Sequence, residues 1–550
     1  MPRIRINNIK ADIETPEEEV LNTIRQTLPA NAKNLQLVKK SLDARNKNHL
    51  YYIYAAEYDT APSSPATHCE DSFFLSHCEE ALADEAISPS KSTPSPRHRP
   101  VVVGSGPAGM MAALCLAEAG LNPIIIERGA NVDERQKAVA RFWQTGELNE
   151  HTNVQFGEGG AGTFSDGKLM TGIKKDEYTA KVLNEFAAAG APKEILYLAK
   201  PHIGTDKLVT MTRNLREKII TLGGEYRFNT QLTDITPHPE TNLLTLTLHS
   251  PHTASTLITD TLILALGHSA RDTFKMLYDR GVQMTQKPFA VGVRIEHKQS
   301  AINLAQYGKK YHNSPYLGAA DYKLAAHLPD NRSLYTFCMC PGGTVVAATS
   351  LKEHVVTNGM SEFARNKENA NSALLVNVDE RDFGSPHPLA GIEFQEKLEK
   401  KAFILGGKNY NAPVQTVGDL LAGRPTKKLG SVTPSYAPGV TPSDFKQLFP
   451  KAIYQTLQQG IKEMDKKLRG FADKDAVLTA VESRSSSPVR ILRDENHESN
   501  IKGIYPVGEG AGYAGGITSA AADGVKTAQK ILLRHHTTTY PSKKYNILTN

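Results

Sequence analysis

The pattern of hydrophobic and polar positions first separates a small module, residues 1–60, from the rest of the chain. Residues 3–9 alternate between apolar and polar positions, as a strand with one buried face does. Pro16 and three glutamates then open a predicted helix. Its apolar positions share one helix face: Val20, Leu21, Ile24 and Leu28. Residues 35–41 and 50–58 predict two more strands, so the module is α+β, and docking a partner, capping the larger part and binding a ligand remain open as its role.

Two segments have the composition of disordered chain. Residues 61–98 are rich in Ser, Pro, Ala and Glu, which predicts a flexible linker, and residues 535–550 predict a flexible tail. His68-Cys69 and His77-Cys78 repeat within the linker at nine-residue spacing. Zinc ligands usually stand about two to four residues apart, so no metal site is expected there.

A β-branched run, Val101–Val103, leads directly into a glycine-rich turn and an apolar helix at 110–119. In a βαβ unit such glycines allow a tight turn, close approach to a pyrophosphate, and packing of the helix on the strand. The helix N-terminus adds free N–H groups and the positive end of a dipole. The predicted phosphate-binding residues are Gly104, Ser105, Gly106, Pro107, Ala108 and Gly109. Glu127 and Arg128 follow the next strand, where a carboxylate can accept hydrogen bonds from an adenosine ribose.

A late return of the chain to this site indicates that the dinucleotide is FAD. A predicted strand at 504–507 is followed by Gly508 and Glu509, and then Gly516 and Ile517 begin an Ala-rich helix. This order resembles flavoproteins of the glutathione-reductase type, in which the acid binds the ribityl or pyrophosphate side and the helix N-terminus faces the flavin. Backbone amides there would stabilise the negative charge of the reduced flavin.

Two further segments are expected to pass beside the cofactor. A predicted strand at 261–266 ends in Gly267. A second glycine-dense loop is followed by a polar segment and contributes Gly159, Gly160, Gly162 and Lys168. Residues without Cβ let the backbone approach a ligand closely, so we expect this loop to lie along the FAD.

The sequence thus predicts an α/β protein with a Rossmann-like FAD-binding domain of the glutathione-reductase type. This domain spans residues 99–286 and 481–534 and is interrupted by an inserted α+β substrate domain at 287–480. No second glycine fingerprint occurs between a strand and a helix, so no dedicated NAD(P)H domain is expected. The expected partners are a small-molecule substrate and an electron donor or acceptor.

Charge and composition narrow the class further. The formal charge is +6 over 550 residues with no long Lys/Arg tract, which gives no electrostatic argument for nucleic-acid binding. Five scattered cysteines fit a reducing compartment. The charge-free stretch 100–117 has glycines and a proline where a membrane-spanning helix would need none, and the N-terminus lacks a secretory signal. We therefore expect a cytoplasmic protein with no membrane span.

Five long motifs resemble a known family. They are QFGEGGAGTFSDGKL at 155–169, PFAVGVRIEH at 288–297, FCMCPGG at 337–343, ESRSSSPVR at 482–490 and GEGAGYAGGI at 508–517. Together with SLDARNK at 41–47 they are similar to the bacterial uncharacterised FAD-dependent dehydrogenases over nearly the whole chain. The resemblance implies FAD and an oxidoreductase activity, and it implies no substrate.

Candidate catalytic side chains lie on segments expected to reach the flavin. Arg484 and Arg490 are candidates to clamp a substrate carboxylate or to stabilise reduced flavin, with a structural salt bridge as the alternative. His268 is a candidate proton donor, with a role in holding the loop as the alternative. For Cys338 and Cys340, buried structural thiols are favoured, because redox pairs usually have C-x-x-C spacing.

The leading function is an FAD-dependent dehydrogenase or reductase of a small or lipid-like substrate, acting by hydride transfer at the flavin. Two alternatives stay open. One is a flavin-dependent RNA-modifying enzyme that docks through the first module, against which the absence of a basic tract weighs. The other is a non-redox protein with structural FAD.

Overall fold

The first module contains the elements that the sequence predicts. The computed structural model describes residues 3–60, 98–170, 176–251, 253–329 and 331–539, so almost all of the predicted linker lies outside the described residues. The elements of the module are β1 (Arg3–Asp12), α1 (Glu17–Thr27), β2 (Ala32–Asp43) and β3 (Tyr51–Thr60). The strands form an antiparallel sheet in the order β1-β3-β2. Val20 and Ile24 of α1 are buried in a core shared with this sheet.

The module packs against the body of the chain. Ile13 and Leu50 are buried in the same apolar core as the residues of the inserted domain. The Lys40 amide donates to the Tyr197 carbonyl, and the Ala199 amide donates to the Lys40 carbonyl, both at 2.9 Å. The sequence left three roles open for the module: docking a partner, capping the larger part of the chain and binding a ligand. These contacts favour the capping role.

The first part of the body carries a parallel sheet and its covering helices. Its elements are β4 (Val101–Val103), α2 (Pro107–Glu118), β5 (Ile124–Ile126), α3 (Val132–Thr145), α4 (Glu177–Ala188), α5 (Thr205–Thr221), β6 (Glu225–Arg227), β7 (Gln231–His238), β8 (Leu243–His249), β9 (Ala254–Thr259), β10 (Leu262–Leu264), α6 (Arg271–Asp279) and β11 (Met284–Gln286). Strands β4, β5 and β10 consist of buried Val, Ile and Leu because structure covers both faces of a parallel sheet. Strands β7, β8 and β9 form a separate antiparallel sheet.

The inserted region is built on a larger sheet. Its elements are β12 (Phe289–Lys298), α7 (Gln299–Tyr311), β13 (Ala325–His327), β14 (Ser333–Cys340), β15 (Thr344–Ala347), β16 (Thr357–Met360), β17 (Asn369–Val378), α8 (Glu380–Phe383), α9 (Ala390–Leu405), β18 (Ala412–Thr416), α10 (Val417–Leu421), β19 (Val440–Pro442), α11 (Lys451–Lys467) and β20 (Val477–Glu482). Seven strands form one sheet in the order β13-β14-β17-β12-β20-β18-β19. All of its neighbours are antiparallel except β18 and β19.

The last elements return to the first sheet. They are β21 (Val489–Ile491), β22 (Ile504–Pro506) and α12 (Ile517–Thr539). Strand β22 pairs in parallel with β10 and completes the five-stranded order β22-β10-β4-β5-β6, as a Rossmann-like FAD-binding fold requires. Helix α12 lies against α2 so closely that a Cβ on Gly524 would stand 2.1 Å from the Ala108 carbonyl oxygen.

Helix α12 continues to Thr539, so the flexible tail predicted from residue 535 is wrong for residues 535–539. Residues 540–550 lie outside the described residues. Within the described part of the chain, no helix has an apolar run long enough to cross a membrane.

Candidate functional site

One cavity runs between the five-stranded sheet and the inserted domain. We call the part beside β4, β5 and α2 the nucleotide end; its walls include Gly104, Gly106, Glu127, Arg128 and Gln231. We call the opposite part the inserted-domain end; its walls include Asp166, Lys168, Phe337, Cys338, Asn358 and Glu482. The two ends are built in different ways.

At the nucleotide end, the three glycines of the fingerprint have separate roles. Gly104 has φ +100°, and a Cβ there would lie 2.3 Å from the Ala265 carbonyl oxygen. A Cβ on Gly109 would lie 1.9 Å from the Gly104 carbonyl oxygen. Gly106 has φ −75°, and the nearest atom to its Cβ would be the Gly160 Cα at 3.7 Å. The fold itself therefore needs Gly104 and Gly109, whereas the space at Gly106 is left for a ligand.

The ligand that this end fits is a pyrophosphate. Helix α2 begins at Pro107, directly after Gly106, and Pro107 and Ala108 line the cavity. The positive end of the helix dipole and its first N–H groups therefore meet the open space beside Gly106. Glycine-only space at a helix N-terminus is the arrangement that admits the diphosphate of a dinucleotide.

Glu127 connects three segments at this end. Its Oε2 accepts from the Ser105 amide and hydroxyl, both at 2.9 Å. Its Oε1 accepts from the amides of Gly129 at 2.9 Å and Gly157 at 3.0 Å. These contacts hold the phosphate loop, the end of β5 and the second glycine-rich loop together. The ribose contact remains a prediction.

The residues after β5 and the second glycine-rich loop complete the nucleotide end. The Arg128 guanidinium stacks on Phe156 at 4.3 Å and donates to Asp272 at 2.8 Å. Gly160 faces Gly106 across the cavity, and Gly162 lies beside Ile517. The predicted loop is therefore present along the cavity.

Five predicted site residues are not among the residues that line the cavity: Ser105, Gly109, Gly159, Gly508 and Arg490. Gly159 instead faces Thr163, whose Oγ1 would lie 2.2 Å from an added Cβ, and Gly508 packs on Ala108. These glycines allow close packing behind the cavity wall. Their direct contact with the cofactor remains a prediction.

The C-terminal return contributes an acid and a helix start to the cavity. Gly267, Glu509, Gly515, Gly516 and Ile517 all line it. A Cβ on Gly515 or Gly516 would have no neighbour within 4 Å, so these glycines, like Gly106, leave space. Burial raises the pKa of Glu509 to about 7, and the nearby Lys287 opposes that shift.

At the inserted-domain end, a fully buried arginine organises the wall. Arg294 binds Glu482 through two nitrogens, with Nε to Oε2 at 3.0 Å and Nη2 to Oε1 at 2.9 Å. It also donates to the Cys338 carbonyl at 2.9 Å, to Asn371 at 3.1 Å and to Asn358 at 3.0 Å. Sequence reasoning missed this network. Its only signal is a single arginine inside the apolar run FAVGVRI of β12.

A second charge cluster lies beside the first. Asp166 accepts from Lys168 Nζ at 2.8 Å, from the Arg365 guanidinium at 2.6 Å and 2.9 Å, and from Ser361 at 2.6 Å. Burial opposes ionisation, but Lys168 and Arg365 hold the pKa of Asp166 well below its usual range. Lys168 Nζ also donates to the Met339 carbonyl. The predicted cofactor contact Lys168 thus lies in the cavity wall at this end, and its binding role remains a prediction.

The two cysteines differ from the expectation of buried thiols. Strand β14 has a bulge between Phe337 and Cys340, and Cys338 has φ +42°. Met339 is buried in the core, whereas Cys338 is exposed to the cavity and Cys340, which is buried, also lines it. The prediction is therefore wrong for Cys338. Desolvation within the fold raises the pKa of the Cys338 thiol to about 12, against the opposing effect of Arg294 and Lys168, which keeps the thiol protonated.

The three predicted catalytic residues have different surroundings. Arg484 is buried, binds Glu399 at 2.7 Å and 2.9 Å, and lines the cavity. Arg490 is exposed on β21 and donates to the Gly512 carbonyl at 3.1 Å. Burial, with help from Arg484, lowers the pKa of His268 to about 3, so this imidazole is neutral at physiological pH. A neutral ring bonded to its neighbour Ser269 suits the loop-holding alternative.

Two family models match the chain where the geometry places the two ends. The model described as FAD binding domain matches residues 99–141, which contain the phosphate loop and Glu127. The model described as FAD-dependent protein, C-terminal domain-like matches residues 288–485, which form the inserted sheet. The protein is therefore an FAD-dependent flavoprotein, and FAD is its cofactor.

A relative that matches almost the whole chain shows which family the protein belongs to. A Clostridium beijerinckii protein (strain ATCC 51743 / NCIMB 8052), described as an uncharacterized protein, is 46% identical over 538 residues and covers 96% of this chain and 98% of its own. The chain belongs to the same family of FAD-dependent proteins, as its motifs predict.

Solved flavoenzyme structures show more distant similarity. A mutant of E. coli quinol fumarate reductase FrdA is 11% identical, with 81% of this chain and 72% of that chain covered and a TM-score of 0.36. A flavoprotein/dehydrogenase from Cytophaga hutchinsonii is 10% identical, with 82% and 81% covered and a TM-score of 0.36. A triple mutant of the flavin-dependent brominase Bmp2 is 12% identical, with 82% and 83% covered and a TM-score of 0.37.

Proposed function

We propose that this flavoprotein is an oxidoreductase that transfers a hydride between FAD and a small or lipid-like substrate held at the inserted-domain end. The observation that carries the proposal is the continuity of the cavity. It passes from the phosphate loop at Gly106 to polar side chains of the inserted domain, such as Asn358 and Glu482. A protein that kept FAD only as a structural element would not need a polar, cavity-facing wall beyond the cofactor. FAD supplies two-electron redox chemistry when bound.

The protein supplies position and electrostatics at the nucleotide end. Gly106 and Gly160 leave room for the pyrophosphate, and the α2 N-terminus offers it N–H donors. At the far side, α12 begins at Ile517 next to two glycines that line the cavity. The positive end of that helix dipole favours negative charge in the space that it faces.

The inserted domain closes the other side and fixes its side chains. Arg294 and Lys168 hold the successive carbonyls of Cys338 and Met339, so the bulge of β14 has one conformation at the wall. Glu482 and Asn358 are held by the same guanidinium nitrogen. Side chains locked in this way orient a substrate with little further ordering.

The test is an anaerobic reduction screen of the purified yellow protein. NADH, NADPH and a series of alcohols, amines, hydroxy acids and fatty acyl compounds are each mixed with it, and the loss of flavin absorbance is followed against free FAD. We expect at least one donor to reduce the bound flavin much faster than free FAD. A flavin that only a strong chemical reductant can bleach would support the structural role of FAD instead.

A matched pair of variants tests whether the inserted-domain end takes part in the reaction. A Cβ on Gly359 would stand 2.3 Å from Arg294 Nη1, whereas a Cβ on Gly318 would have no neighbour within 4 Å, and neither residue has a positive φ. Gly359→Ala should slow reduction by the best donor while FAD is retained, and Gly318→Ala should not.

A further inference from the structure

The inserted-domain end has hydrogen-bonding capacity that the protein does not use. The Asn358 Oδ1 accepts from Arg294 Nη2 at 3.0 Å and from the Gly359 amide at 2.8 Å. These two contacts fix which side of the amide is oxygen. Among the described residues no acceptor binds Asn358 Nδ2, and Asn358 lines the cavity. Its N–H groups are therefore available to a ligand.

Lys168 provides a second donor in the same wall. An ammonium has three N–H groups, and those of Lys168 have two partners, Asp166 and the Met339 carbonyl. Lys168 holds the carbonyl of Met339, and Arg294 holds both the preceding carbonyl of Cys338 and the Asn358 side chain. The unused donors of Lys168 and Asn358 therefore belong to one end of the cavity.

The charges at this end do not balance. Arg294 and Glu482 neutralise each other in a two-point ion pair. Asp166 is the single carboxylate shared by Lys168 and Arg365. The five groups thus leave one surplus positive charge, and Lys168 carries it into the cavity wall. A partly buried cation that shares its one carboxylate with a second cation is only partly neutralised, which favours an anionic ligand.

We propose that Lys168 and Asn358 form a carboxylate-binding subsite, and that the substrate of this flavoprotein carries a carboxylate. The proposal rests on the proposed function and names the class of its substrate. A carboxylate offers two oxygens, one for the ammonium and one for the amide N–H groups, and cancels the surplus charge. A neutral carbonyl would accept the hydrogen bonds and leave the charge uncompensated.

The experiment measures ligand binding by the flavin-loaded protein, independently of turnover. Acetate and benzoate are titrated, with acetamide and benzamide as neutral analogues of the same shape, and the visible absorption of the flavin reports occupancy beside it. Three variants are compared with wild type. Lys168→Met removes the charge, Asn358→Asp keeps the oxygen that Arg294 and Gly359 need but replaces the donor, and Lys367→Met removes an exposed lysine paired with Glu362 as the control.

We expect benzoate or acetate to change the spectrum of the wild type and of Lys367→Met saturably, and the amides not to do so. Lys168→Met and Asn358→Asp should each retain FAD and weaken carboxylate binding about tenfold or more, the loss of one charge-assisted hydrogen bond. The subsite is overturned if the amides bind equally well, if both variants bind carboxylates as the wild type does, or if both lose FAD, because the two side chains would then contact the cofactor. If donors reduce the flavin but carboxylates do not perturb its spectrum, only the subsite is overturned. If carboxylates bind but no donor reduces the flavin, only the oxidoreductase activity is overturned.

Discussion

The two ends of the cavity are built from different materials. At the nucleotide end the ligand-facing surface includes main chain that Gly106 and Gly160 leave accessible. At the inserted-domain end it is made of charged and amide side chains that a buried arginine, Arg294, holds in place. The nucleotide end depends on the absence of side chains at its glycines. The inserted-domain end depends on pairs of residues that are distant in the sequence.

We therefore expect substitutions at the two ends to change different properties of the protein. A side chain that fills the empty space at the nucleotide end should weaken ligand binding, because nothing in the protein itself occupies that space. Removing a partner at the inserted-domain end affects the fold, because a buried charge then loses its counter-ion. The contrast can be tested by substitutions at each end.

The largest effect is expected from Gly106→Val. The added side chain occupies the pyrophosphate space while its nearest protein atom lies at ordinary contact distance, so the variant should purify without flavin. Its unfolding free energy should match that of flavin-free wild type within about 0.5 kcal/mol. Flavin content and urea unfolding measure the two quantities. Gly109→Ala is the contrasting variant, since its Cβ would meet the Gly104 carbonyl oxygen at 1.9 Å, and overpacking of this kind should cost about 1–3 kcal/mol. A Gly106→Val protein that stays yellow would contradict the assignment.

Arg294→Met tests the opposite end. It leaves Glu482 as a buried carboxylate without a counter-ion, which should lower the unfolding free energy by about 3–5 kcal/mol in urea. Adding Glu482→Gln should recover part of that loss. Arg490→Met, at an exposed arginine, is the control and should stay within about 0.5 kcal/mol of wild type. If Arg294→Met and Arg490→Met are equally stable, the buried ion pair at the inserted-domain end does not contribute to the stability of the fold.

Acid unfolding gives a smaller and pH-limited effect at Arg484. Burial opposes ionisation, but Arg484 holds the pKa of Glu399 at about 2, below its ordinary value of 4.5. A carboxylate with a lowered pKa contributes stability above pH 4.5 and loses it as the pH falls from 4.5 toward 2. Urea titrations across this range should show a steep loss for wild type and a shallower one for Arg484→Met. The same slope in both proteins would mean that the pair does not govern acid stability.

The smallest effect concerns Cys338. Its thiol faces the cavity, so bound FAD should shield it from iodoacetamide, and removal of FAD should expose it. Because its pKa is raised to about 12, the reaction should be slow at neutral pH and faster at higher pH. Peptide mass spectrometry measures each cysteine separately, with buried Cys115 as the unreactive reference. Equal labelling with and without flavin would place Cys338 away from the cofactor.

The nucleotide end could be predicted from the sequence because its signals are local. The strand, the glycines and Glu127 lie within a few dozen residues, and each has a backbone reason to be where it is. The direction in which a glycine faces was not predictable, since Gly159 and Gly508 turn toward packed neighbours. Nor was the role of Glu127 as a connector, which needs Gly157 from a separate loop.

The inserted-domain end could not be predicted because its partners are distant in sequence. Arg294 meets Glu482 across 188 residues, and Asp166 meets Arg365 across 199. No spacing rule connects such positions. For two residues that the sequence did single out, burial favours the structural alternative: Arg484 is held in an ion pair, and His268 is kept neutral.

The late strand β22 and helix α12 have a consequence for the order of synthesis. The ribosome releases the phosphate loop early, but β22, which pairs with β10, and α12, which packs on α2, emerge hundreds of residues later. The nascent chain therefore carries an unfinished nucleotide site while the whole inserted domain is being made. We therefore expect flavin to bind only after the last helix has been made. A chain interrupted before residue 504 contains the complete glycine fingerprint but lacks β22 and α12, which complete the cofactor site.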